Sequence, residues 1–113
     1  MKSIEGEARK LTIVAGENDQ FQHHPLSHEI IKRAHALGLA GATVTRGIEG
    51  FGASNHIHTA KVLSLSSDLP VIVTIIDTVQ AIEDFLPTVK ELVQEGIIYI
   101  EDCVVVQYSG RNY

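Results

Sequence analysis

Pro70-Val-Ile-Val-Thr-Ile-Ile-Asp77 is the stretch that decides the fold. Its interior is β-branched throughout, which suits an extended chain, and a proline opens it where a missing ladder N–H is tolerated. Strand side chains alternate between faces, so Val71, Val73 and Ile75 point one way and Ile72, Thr74 and Ile76 the other. Both faces are mainly apolar. A sheet with helices on one side and water on the other would alternate apolar with polar residues. This strand therefore belongs to a sheet whose second face also needs cover.

Downstream, residues 79–95 place Ile82, Phe85, Leu86, Val89, Leu92 and Val93 on one face of a helix. Asp77 stands in position to cap that helix, Pro87 predicts a kink or two short helices, and Gly96 closes it. The last strand, over 97–108, is again two-sided, with Ile98, Ile100, Val104 and Val106 set among Ile97, Tyr99, Cys103 and Val105. Its Glu101-Asp102 pair marks a bend or bulge.

Upstream, residues 62–66 alternate over too few positions for more than a minor strand, and 53–59 form a loop. Residues 41–52, Gly-Ala-Thr-Val-Thr-Arg-Gly-Ile-Glu-Gly-Phe-Gly, read as a strand that gathers glycine toward its end. Such glycines mark a bulge or the close approach of a backbone or ligand. Before them, Leu26, Ile30, Ala34 and Leu37 form the apolar stripe of a first helix. It has Pro25 at its first position, Glu29 in its first turn, Lys32 and Arg33 facing outward, and Gly38 at its end. A polar loop over 17–24 joins it to a first strand at 10–15, Lys-Leu-Thr-Ile-Val-Ala.

The order is β, α, β, glycine-rich loop, β, α, β. It predicts one α+β domain over 1–113, a ferredoxin-like βαββαβ sandwich on a four-stranded antiparallel sheet. Leaving the second sheet face wet would forgo roughly 1.5–3 kcal/mol per large apolar side chain, so self-association with cyclic symmetry is expected.

A chain of 113 residues with 44% hydrophobic and 20% charged residues has no need of a disulfide or structural metal. The net charge of -5, with the basic residues scattered, excludes a general affinity for nucleic acid. Cys103, the single cysteine, lies between acids and valines and reads as a structural strand residue. An acidic N-terminus and the lack of a long apolar run argue against a signal peptide or membrane span, and predict a cytoplasmic protein.

The run Gly47-Ile-Glu-Gly50-Phe-Gly52 lacks the order of both common phosphate-binding motifs, although glycine-rich backbone can still present N–H groups to an anion. His56 and His58 would share one side of an extended segment, close enough to hold a metal, and His24 and His28 could meet across one helical turn. No cysteine or nearby carboxylate completes either pair, and surface polar histidines are the plainer reading. No nucleophile motif and no fixed pair of carboxylates points to catalysis. Glu83, Asp84, Glu91 and Glu95 read as a solvated helix face.

The stretch over 41–52, followed by Ile57-His58-Thr59, Leu65-Ser66-Ser67-Asp68-Leu69-Pro70, Phe85-Leu86-Pro87 and Glu95-Gly96, resembles the PII-like signalling proteins. It is most similar to a bacterial and archaeal branch known mainly as a domain of unknown function. The resemblance runs from about Leu11 to Val106. It implies a homotrimer with inward-facing sheets, with a small-molecule effector, ATP, ADP or AMP, bound in clefts between subunits. It also implies a loop after the second strand that contacts a membrane transporter or regulatory protein. Carried over by position, Thr43 matches the family's strand threonine and Gly50 and Gly52 the G-x-G that opens its loop; with Arg46, Gly47 and Phe51 beside them these are the expected ligand-binding residues, and Glu49, Ser54, Asn55, His56 and His58 belong to the partner loop. Three departures stand out. One extra residue between Gly41 and Gly50 predicts a bulge near Arg46-Gly47, the glycine-rich phosphate turn before the last strand is missing, and so is the loop tyrosine that PII proteins modify. Arg46 and Arg111 are the nearest phosphate partners. Two other readings stay open: a metal-binding trimer of the copper-tolerance type using His56 and His58, and a cofactor-independent α+β-barrel oxygenase or isomerase.

Overall fold

Pro70–Asp77 is a strand over its full predicted length. Around it, a computed structural model describes residues 2–53, 55–59 and 68–111. In chain order the elements are β1 (Ser3–Gly16), β2 (Gln20–Phe21), β3 (His24–Pro25), α1 (Leu26–Ala36), β4 (Thr43–Arg46), β5 (Glu49–Gly50), β6 (His58–Thr59), β7 (Pro70–Asp77), α2 (Val79–Leu92) and β8 (Ile97–Ser109). The minor strand expected at 62–66 lies outside the described residues.

The main sheet has the order β4-β7-β1-β8, antiparallel throughout. Leu11 opposite Ile75 and Ile13 opposite Val73 fix the register of its centre. These four side chains meet Leu26, Ile30 and Ala34 of α1 and Ile82, Phe85, Val89 and Leu92 of α2 in the core. Burying whole side chains of this size stabilises the fold by roughly 1.5–3 kcal/mol each. This is the ferredoxin-like α+β sandwich, with both helices on one face.

The other face has no cover among the described residues. In register across it run Thr43, Thr74, Thr12 and Tyr99, and beside them Thr45, Ile72, Val14 and Ile97. Ile97 is 59% exposed, Tyr99 43% and Ile76 40%. Thr12 is buried among these neighbours, yet its hydroxyl has no hydrogen-bond partner among the described residues.

β1 begins seven residues before the predicted strand, at Ser3 rather than Lys10. Glu5, Gly6 and Glu7 have little strand propensity, but β8 supplies a ladder for them from Ser3↔Ser109 inward. β7 reaches only as far as Arg9, so Ser3–Ala8 and the end of β8 form an arm of two strands. On that arm Val104 and Val106 are almost wholly exposed.

Several local expectations need correction. The irregularity of β8 lies opposite Ile4 and Gly6, where the ladder passes from Tyr108 to Val105. Glu101 and Asp102 instead pair regularly with Lys10 and Arg9. Arg9 bonds both Asp102 (3.1 Å) and Glu83 of α2 (2.8 Å), tying the strand to the helix. Thr78, not Asp77, caps α2, its hydroxyl accepting from Ala81 N at 3.1 Å. Asp77 is fully buried and accepts from Lys2 Nζ, Ala40 N and Thr78 N. α2 is a single helix with Pro87 inside it, and it ends at Leu92, four residues before Gly96. α1 starts one residue after Pro25, and Leu37 lies beyond its end, exposed. Glu29 is buried and paired with Arg33, which lies over the Phe21 ring and stays partly exposed. The loop before α1 contains the small β2–β3 ladder.

Candidate functional site

β4 stops at Arg46, and the chain leaves the main sheet through Gly47 and Ile48. Gly47 N donates to Pro70 O at 2.7 Å, and a side chain at Gly47 would strike the Pro70 ring. The chain then folds on itself, Gly50 pairing with His58 and Glu49 with Thr59. Between them Asn55, at φ +59°, donates its N–H to Gly52 O.

This β5–β6 hairpin stands over the end of the main sheet and closes a cavity of about 330 Å³. Small-molecule pockets commonly occupy roughly 300–1,000 Å³. Its walls are Val14, Ala15 and Gly16 at the end of β1, Gly50, Phe51, Gly52 and Ala53 of the hairpin, Asp68 before β7 and Pro70 at its start, and Glu95 and Gly96 before β8 with Ile97 at its start. Asp19 and His58 complete it.

Two glycines permit this closure. The Asp68 carboxylate occupies the space a Gly16 side chain would need. At Gly96, φ is +132°, and the Val14 carbonyl oxygen lies where a Cβ would stand. The acids are held by main-chain donors, Gly16 N to Asp19 Oδ2 at 3.0 Å and Asn18 N to Asp68 Oδ1 at 2.8 Å. Asp68 N donates to His58 Nδ1 at 3.3 Å, which ties the hairpin to the start of β7. Three carboxylates line the cavity, and no lysine or arginine is among its described lining residues.

Of the ligand residues expected from the sequence, Gly50, Phe51 and Gly52 line this cavity. Thr43 lies on the uncovered sheet face, in register with Thr74. Arg46 is exposed and ion-paired with Glu17 at 2.7 Å, and Gly47 packs on Pro70. Among the partner-loop residues, Glu49 and His58 sit in the hairpin ladder, Asn55 and His56 are exposed, and Ser54 lies outside the described residues. No group of three or more His, Cys, Asp or Glu side chains among the described residues is arranged to hold a metal. No helix among them is long and apolar enough to cross a membrane. Arg111 is exposed. The sequence reading missed Val14–Gly16, Asp19, Asp68 and Glu95 as neighbours of the glycine turn. The available signal was positional: each lies at a strand end, and antiparallel pairing brings the end of one strand beside the start of another.

The family model DUF190, described as an uncharacterized ACR, matches residues 8–105. The chain is 38% identical over 96 residues to a UPF0166 protein of Aquifex aeolicus, covering 85% of this chain and 90% of that protein. It is 35% identical over 107 residues to UPF0166 protein MJ1524 of Methanocaldococcus jannaschii, covering 94% and 96%. Among solved structures, CutA from Synechococcus elongatus PCC7942 superposes with a TM-score of 0.57 at 12% identity, over 96% of this chain and 86% of that one. CPII, a nitrogen regulatory PII-like protein from Thiomonas intermedia K12 bound to ADP, AMP and bicarbonate, superposes with a TM-score of 0.53 at 18% identity, over 97% and 92%. These likenesses extend to the fold. With its length, register and glycine turn accounted for, the chain belongs to the DUF190 family, on a fold shared with PII-like proteins and CutA.

Proposed function

We propose that this protein is a trimeric, non-catalytic sensor that binds a small ligand beside the glycine turn and reports it to a partner protein through residues 49–59. The observation that carries this reading is the cavity itself, which unites Gly50, Phe51 and Gly52 with the ends of β1 and β8. A ligand seated there touches the hairpin and the sheet at once, so occupancy biases the hairpin's conformation by its differential affinity for the two states. An adenine nucleotide is the first candidate, since the PII-like neighbour was captured with ADP and AMP. The trimer is supported by the uncovered face around Ile72, Ile76 and Tyr99, because cyclic association buries such a patch at no cost in new sequence. The partner, a membrane transporter or regulatory protein, follows from the same resemblance.

Light scattering together with calorimetry against ATP, ADP, AMP and cyclic dinucleotides tests this. We expect a trimer mass and saturable heat with at least one adenine nucleotide. A trimer that gives no heat with any of them removes the nucleotide from the proposal. A dimer mass would instead favour the α+β-barrel enzyme reading. The metal reading rests on His56 and His58, and unchanged zinc and copper affinity after replacing both with alanine would remove it.

A further inference from the structure

The cavity is built unlike a phosphate site. Asp19, Asp68 and Glu95 bring carboxylates to it, and no cationic side chain is among its described lining residues. Among the described residues, Asp19 and Asp68 each accept a main-chain N–H, and a carboxylate has lone pairs for several donors. Hydroxyl and amine donors suit such acceptors, whereas a phosphate beside them meets like charge. The remaining wall is largely apolar, with Val14, Phe51 and Ile97 offering flat surface to a ring. Arg46 stands apart from this lining. It is exposed and paired with Glu17, the residue after lining Gly16, and it precedes Gly47, which packs on lining Pro70. Its guanidinium is 61% exposed, and an ion pair open to water on one side is weak, so Arg46 can exchange Glu17 for another anion.

We infer that the cavity takes the nucleoside end of an adenine nucleotide, its base and ribose donors meeting Asp68 and Glu95, while the phosphates lie outside beside Arg46. This rests on the cavity being the ligand site proposed above.

Calorimetry with adenosine, ATP and inorganic tripolyphosphate, each in EDTA and again with magnesium, tests it on the wild-type protein and on Arg46→Ala and Glu95→Ala. Both substituted positions are exposed, and matched melting curves would confirm that the variants fold. Adenosine and ATP should both bind, and tripolyphosphate should not displace adenosine in either buffer. Arg46→Ala should weaken ATP by roughly tenfold, the worth of a charge-assisted contact, and adenosine by less than about twofold. Glu95→Ala should weaken both. Displacement of adenosine by tripolyphosphate, ATP binding without adenosine binding, or tighter ATP binding by Glu95→Ala would each overturn the inference and leave the sensor reading standing. No heat with either nucleoside compound overturns the inference and removes the nucleotide from the sensor reading.

Discussion

Asp77 shows how one residue's role depends on burial. Its position before α2 suggests a cap, but a carboxylate with no exposure needs several donors, and it collects Lys2 Nζ, Ala40 N and Thr78 N. Asp77→Ala strands two main-chain donors in the interior and should cost about 2–3 kcal/mol in urea unfolding. Lys2 is 38% exposed and can return to water, so Lys2→Ala should cost under about 1 kcal/mol. Equal costs for the two would show that the ion pair, rather than the main-chain bonds, carries the site. Thr12 is the opposite case, a buried hydroxyl without a partner among the described residues. Thr12→Val should raise stability by about 1 kcal/mol, and a loss would reveal a partner in the assembled protein.

Among the elements, α2 was the most legible, because its apolar residues recur at helical spacing and the buried set Ile82, Phe85, Val89 and Leu92 lies within the predicted face. Its ends were less so. Thr78→Ala should destabilise by about 1 kcal/mol through loss of the cap to Ala81, measured as a fall in urea midpoint with an unchanged slope. A negligible effect would mean that Asp77 supports the helix start without help. β1 was legible only where its own residues are apolar. Its first seven residues become strand because β8 runs beside them, a pairing that local propensity does not encode.

At the scale of the whole molecule, the uncovered sheet face and the arm carrying Val104 and Val106 are the features a single chain does not explain. Placing a charge at Ile76 or Tyr99, by Ile76→Lys or Tyr99→Lys, should reduce the mass seen by light scattering to that of a monomer, since a buried unpaired lysine costs several kcal/mol per subunit. An unchanged mass would move the interface away from this face. The cavity also belongs to this scale. Gly50, Phe51 and Gly52 were candidates from the sequence, but the three carboxylates beside them come from separate segments, and Glu95 had read as part of a solvated helix face.

The sequence by itself determined the order of the main-sheet strands and helices, the buried face of α2, most of that of α1 and the two-sided strands, because periodicity is a local property read directly from residue spacing. Only the tertiary structure decided the extent of β1, the task of Asp77 and the acidic lining around the glycine turn. Each of those depends on which distant segments meet, and that is set by the register of β1 between β7 and β8. The strand at Pro70–Asp77 thus announced an unfinished sheet face, while the pairing of its neighbours placed the cavity at the sheet's end.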